Sequence, residues 1–294
     1  MHRSSDTRQF LPIFSLLLTA SMWGAVWYPL RLLEAEGLHG LWSTIISYGA
    51  ALLLGLYWLW RDRGIWRIHP VALTIMMLAA GWCNAAFVLS VLEGTVVRVL
   101  LLFYLAPLWA LILGWLILNE KPNRTGWLVF LIALAGAIIM LWDPTSGLPW
   151  PRDHADWLAV SSGFAFSLSN VMVRKTGNVS VGAKAAVTWL GVVFVCAVWI
   201  LITDVSVPQV TMPTIGAALA LGWFGFFIMT LAVIYGVANM PVHRSAVILL
   251  FELVVGAISS MLLTDEIVLV QEWAGGALIL GAAWLAARQQ VADE

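Results

Sequence analysis

The sequence predicts an all-α integral membrane protein: ten transmembrane helices arranged as two inverted five-helix repeats. Three observations predict it. Apolar runs of membrane-spanning length fill the chain, basic residues sort to one side of those runs, and the second half repeats the first in register. Of the 294 residues, 62% are hydrophobic and 11% charged. A soluble domain is about 25% charged, and a soluble core of this length could not hide so much apolar surface, so the surplus must face lipid. The formal net charge of −1 offers no basic face to nucleic acid.

At a rise of about 1.5 Å per residue, a helix needs about 20 predominantly apolar residues to cross a bilayer. Ten such runs are present: 11–33, 41–60, 71–92, 96–118, 125–142, 157–174, 183–203, 214–237, 243–263 and 270–287. The first has no short apolar region ending in a small-residue cleavage site, so it is expected to stay as the first span. Charged residues and Pro or Gly separate the runs. The one longer connection, Asp143 to Asp156, reads DPTSGLPWPRDHAD and divides the chain near its middle. An even number of spans puts both termini on one side. With that side cytoplasmic, twelve of the 15 Lys and Arg residues lie inside, and Arg31, Arg98 and Arg152 lie outside. The positive-inside rule therefore predicts an inner-membrane protein with both termini in the cytoplasm.

The repeat is carried by charged and Trp positions. Displaced by 146 residues, Arg98 falls on Arg244, Glu120 on Glu266 and Trp127 on Trp273. Nearer the start of each half the offset is 143, which puts Trp23 on Phe166 and Arg31 on Arg174. The units are residues 1–145 and 152–294. Five spans per unit is odd, so the second unit enters the membrane inverted. Inverted repeats about an axis in the membrane plane mark secondary transporters, because two such bundles can exchange conformations around a central site.

Trp23-Gly24, the stretch PLWALILGWLILNE from Pro107 to Glu120 and the stretch FELVVGAISSMLLTDE from Phe251 to Glu266 resemble the EamA-type branch of the drug/metabolite transporter superfamily. The resemblance covers essentially the whole chain. It implies a ten-helix exporter of small metabolites, with spans 3, 4, 8 and 9 lining a cavity and spans 5 and 10 packed together. Within the branch, the chain is most similar to bacterial exporters of aromatic amino acids. Glu252 stands where the family often has Glu-Pro. Leu253 replaces that proline, which removes the usual reason for a kink in the ninth span.

Glu252 is the outstanding candidate. It sits about nine residues into its span, roughly 13 Å deep. A carboxylate there costs at least about 2.5–3.5 kcal/mol unless it is partnered or hydrated. Its repeat equivalent is Ala106, so symmetry does not require it. Three roles are open: an anion that meets a substrate ammonium, a titrating group, or a neutral acid tying helices together. Trp23, Trp82, Trp109 and Trp223 fall near span centres, whereas Trp58, Trp60, Trp66, Trp142, Trp150 and Trp157 fit interfacial belts. The central four could form an aromatic wall that stacks on a planar solute, or they could be packing bulk. Asn84, Tyr104, Asn170 and Tyr235 are polar at membrane depth and could bond a zwitterion or a neighbouring helix.

Arg98, His243 and Arg244 begin equivalent spans on opposite faces. They are candidate gating residues, with snorkelling to lipid phosphates the alternative use of the arginines. Ala133, Ala137, Ala277 and Gly281 form small-xxx-small pairs expected to pack spans 5 and 10. Pro29 and Pro107 are expected to be hinges or static kinks. Cys83 and Cys196 read as small packing residues.

No phosphate-binding loop, HExxH, CxxC or GxGxxG occurs, so neither direct ATP drive, a metal nor a cofactor is expected. The expected partners are lipid and a small solute, best read as aromatic and other neutral amino acids. Hydrophobic drugs or nucleobase-type metabolites are the alternative within transport. An intramembrane lipid enzyme is the alternative outside it. A monomer is expected, with a homodimer as the second option.

Overall fold

The computed structural model describes residues 3–94, 96–142, 151–263 and 269–293. Most of the Asp143–Asp156 connection, Trp150 and Glu266 thus lie outside the described residues. The helices are α1 (Arg3–Ala35), α2 (Gly40–Arg61), α3 (Ile65–Ile68), α4 (Pro70–Glu93), α5 (Val96–Phe103), α6 (Ala106–Leu118), α7 (Arg124–Leu141), α8 (His154–Lys175), α9 (Val181–Thr203), α10 (Met212–Ala220), α11 (Phe227–Ala238), α12 (Val242–Leu249), α13 (Phe251–Leu263) and α14 (Val270–Asp293). A π-helical segment, Leu221–Phe226, joins α10 to α11. Among the described residues the fold is all-helical, and seven helical stretches are long and apolar enough to cross a membrane. The shorter α6 is apolar as well. α8 is more polar because Ser162, Ser167 and Ser169 turn into the bundle, where all three are buried.

Local chemistry sets the ends. Asn123, Asp153 and Ser180 cap α7, α8 and α9, each accepting a bond from a backbone N–H three residues on, which satisfies a donor that the first turn leaves over. Asn119 (φ 57°) and Asp204 (φ 51°) end α6 and α9 in the left-handed region, which Asn and Asp enter more readily than most residues.

Two apolar runs break in mid-course. The run 96–118 is interrupted at Tyr104 and Leu105, and the run 243–263 at Leu250. Pro107 lies in the first turn of α6, where its missing N–H leaves no bond unmade. The second break needs no proline: the N–H of Leu253 reaches back three residues to the Leu250 carbonyl at 3.0 Å. Pro29, in contrast, lies inside a continuous α1. The eighth run carries a π segment that the apolar pattern did not signal.

α4 packs against α8 and α9, while α11 packs against α1, and the stretch 212–226 against α2. α8 lies against α5 and α6, and α1 against α13. α2 meets α9, and α7 meets α14. The α7–α14 seam is close enough that a Cβ on Gly136 would lie 2.8 Å from the Gly275 carbonyl oxygen, and one on Gly275 would lie 2.5 Å from that of Gly136. Ala133 and Ala137 are buried here as expected. On α14 the contact face is Gly275, Ile279, Ala282 and Ala286, whereas Ala277 and Gly281 are exposed.

Overpacking a filled core costs about 1–3 kcal/mol. Gly275→Val is therefore expected to lower the thermal midpoint in detergent, and Gly281→Ala to leave it within about 1 kcal/mol of the parent. Equal midpoints for the two variants would contradict this seam.

Candidate functional site

The two breaks face each other across the bundle, and each leaves backbone carbonyls without their helical donors. In a membrane, such groups must be satisfied by other parts of the protein. The Ala106 carbonyl accepts from Ser167 Oγ at 2.7 Å. Gly163 admits the Phe103 carbonyl, 2.5 Å from where its Cβ would sit. Gly24 does the same for Glu252, whose carbonyl oxygen is 2.7 Å from the position of a Gly24 Cβ. Ser259 Oγ donates to the Gly24 carbonyl at 2.8 Å and accepts from the Trp27 indole at 2.9 Å.

At this junction the structure joins two of the sequence-predicted site residues. The Tyr104 hydroxyl, at the first break, lies beside the carboxyl of Glu252, just past the second. Tyr104 is buried and Glu252 half-buried. An aromatic path runs away from the pair. Phe103 lies edge-on to Tyr104 at 5.3 Å, Phe166 lies 5.9 Å from Phe103, and Trp23 lies edge-on to Phe166 at 5.7 Å. Trp82 packs on the cluster that includes Phe103 and Phe166, and its indole donates to Ser161 at 3.1 Å. Asn170, half-buried, follows one turn after Phe166 on α8.

The remaining candidates are held elsewhere. Asn84 donates to the Ala80 carbonyl of its own helix at 3.0 Å. Trp109 lies edge-on to Phe164. Trp223, in the π segment, is 40% exposed and donates to the Ala50 carbonyl at 2.9 Å. Tyr235 is half-buried on α11. His243 and Arg244 are buried in the first turn of α12. The side chain of Arg98 lies outside the described residues. Two clefts open away from the junction: one of about 360 Å³ between α1 and α10, and one of about 140 Å³ between α7, α13 and α14. Neither is lined by Glu252 or Tyr104.

Phe103 and Phe166 were not singled out from sequence. Phe166 did carry a signal, its register match to Trp23. A second assembly was also missed: Glu120 pairs with Arg174 at 3.0 Å and accepts from the N–H of Val242 at 2.8 Å. Those charges had been read only as repeat markers.

Bundled apolar helices long enough to cross a bilayer define a multi-pass membrane protein. The chain belongs to the EamA-like transporter family, whose model matches residues 10–142 and again residues 154–288. An uncharacterized transporter of Pseudomonas aeruginosa is 25% identical over 171 residues, 55% of this chain and 52% of its own. The chain thus spans about half the length of this curated relative. A protein of known crystal structure superposes with a TM-score of 0.73 at 17% identity, covering 98% of this chain and 99% of that one. At that identity the likeness shows the fold.

If Tyr104 and Glu252 hold the two breaks together, a double-mutant cycle in detergent should find coupling. Polar pairs between membrane helices are worth about 0.6 kcal/mol on average and up to about 1.7. Tyr104→Phe and Glu252→Ala, each of which removes the contact, should couple within that range, and Tyr104→Phe and Asn84→Ala should be additive. Additivity in both cycles would remove the link.

Proposed function

We propose that the chain is a secondary exporter of small amphipathic metabolites, best read as aromatic and other neutral amino acids, working by alternating access in the inner membrane of a bacterium. The units are residues 1–145 and 152–294, five spans each, inverted relative to one another, with both termini cytoplasmic and a monomer as the working form. The helix contacts support this reading, because exchanging the halves maps α4 with α8 onto α11 with α1, and α1 with α13 onto α8 with α6, while α2 with α9 and α7 with α14 map onto themselves. One hydrogen bond also occurs twice. Thr19 donates to the Met229 carbonyl at 3.1 Å, and its counterpart Ser162 donates to the Cys83 carbonyl at 2.9 Å. Each matches the other at the offsets of 143 and 146 that the sequence gives.

The observation that carries the function is the meeting of Tyr104 and Glu252 at the facing breaks. An interior carboxyl beside aromatic rings suits a solute with an ammonium group and a flat apolar body. The carboxylate meets the ammonium, and Trp23, Phe103, Phe166 and Trp82 receive the body. Broken helices at mid-membrane are where secondary transporters place their substrate sites, and they give the halves a place to bend as one end closes and the other opens. No phosphate-binding loop is present, so the solute gradient or an ion gradient supplies the drive.

Counterflow of labelled amino acids in liposomes across a pH series tests this. Glu252→Gln keeps the shape and hydrogen bonding of the side chain but cannot ionise. It is expected to fold with an unchanged thermal midpoint and to lose transport about tenfold or more, the equivalent of one ion-paired contact. Counterflow by the Gln variant equal to the parent at every pH would remove ionised Glu252 from the mechanism. Transport of hydrophobic drugs and of no amino acid would replace the substrate class and keep the site.

A further inference from the structure

We propose that Glu120 and Arg174 form the latch of one gate, the cytoplasmic one under the topology above, and that this conformation has that gate shut. The inference rests on the alternating-access reading, and it concerns residues at the end of the bundle, away from Glu252.

The latch is built from three connections. α6 ends in a left-handed Asn119, and the Glu120 N–H bonds back to the Gly114 carbonyl at 3.1 Å. This helix-terminating motif fixes the direction in which Glu120 leaves the helix. Its carboxylate then does two things: one oxygen accepts from Arg174 Nε at 3.0 Å, and the other accepts from the Val242 N–H, which opens α12, at 2.8 Å. Arg174 completes the ring by donating from Nη1 to the Ala238 carbonyl, the last residue of α11, at 2.6 Å. One ion pair thus ties the end of α6, the end of α8 and the turn between α11 and α12.

The end of α8 is firmly held for this purpose. Buried Lys184 donates to the Val173 carbonyl at 2.9 Å, and Thr176 donates to that of Met172 at 2.8 Å. Two carbonyls of the last turn are thereby occupied, and Arg174 projects from a fixed terminus. The pair itself is partly screened from solvent, with 31% of the Arg174 side chain and 17% of the Glu120 side chain accessible. A charge-assisted contact with that degree of burial is stronger than an open surface pair. Separating α6 from α8 and α12 at this end would break both bonds of the Glu120 carboxylate together.

The repeat supplies the contrast. Arg31 is the register partner of Arg174, at the far end of α1, yet it is exposed and its guanidinium lies 5.9 Å from the Trp27 ring. Equivalent arginines are therefore engaged at one end of the bundle and solvent-facing at the other, as a two-state device caught in one state requires.

The test is labelling of a cysteine placed at Asn170, one turn inward of Arg174, with a membrane-impermeant maleimide. Inside-out and right-side-out vesicles are compared, and buried Cys83 and Cys196 set the background. Glu120→Gln should raise the rate from the Arg174 side about five- to tenfold and lower it from the opposite side. Arg174→Gln, which leaves the Glu120 contact to Val242 in place, should act in the same direction and covers the case in which the first variant fails to fold. The double variant should exceed neither single. No change in labelling, a rise on both sides together, or additive single effects would overturn the latch. Labelling needs no substrate, so this result is independent of whether amino acids prove to be the cargo.

Discussion

Hydrocarbon offers the backbone no hydrogen bonds, and the irregular parts of this bundle lie where a neighbouring helix supplies them. Ser167 satisfies the Ala106 carbonyl beyond the first break, and Gly24 and Gly163 let neighbouring carbonyls come close where any side chain would collide. The chemistry depends on this arrangement. Tyr104 lies at one break and Glu252 two residues past the other, and there the two meet. A carboxyl placed on an unbroken lipid-facing helix would cost several kcal/mol with nothing gained; at the junction it lies beside the phenol of Tyr104.

The same constraint divides the molecule into fixed and adjustable parts. The α7–α14 seam, with Gly136 and Gly275 in backbone contact, has no room to slide. The broken stretches have fewer regular backbone bonds and pack through side chains, so they are the natural places for rearrangement. The Glu120–Arg174 ring joins the end of α6, the end of α8 and the turn between α11 and α12, and a change in that ion pair is therefore felt by helices from both halves of the chain.

Much of this was legible in the sequence, because the membrane enforces a pattern that short windows reveal. Apart from the interruptions at Tyr104–Leu105 and Leu250, the apolar runs are helical over almost all of their described length, and Glu252 and Tyr104 stood out as polar groups at membrane depth. That they touch was not legible: the two are far apart in sequence, and the break at Leu250 has no proline to announce it. The π segment passes unnoticed because Leu, Gly, Trp and Phe read the same in either helix type. Phe103 and Phe166 were hidden by the number of apolar residues that simply face lipid. On α14, small residues occur at several helical spacings, and the spacing picked from sequence, Ala277 with Gly281, falls on the exposed side. Charges in loops gave the least away, since the pairing of Glu120 with Arg174 exists only once the connections are folded against each other.

The central claim is that two halves move in opposition about the Tyr104–Glu252 junction. Paired spin labels test it most directly, one pair at exposed Lys121 and Lys175 at the latched end and another at exposed Leu32 and Leu269 at the other. In liposomes, adding transported substrate should lengthen one distance and shorten the other. Distances that change in the same direction, or that stay fixed while counterflow proceeds, would contradict the account.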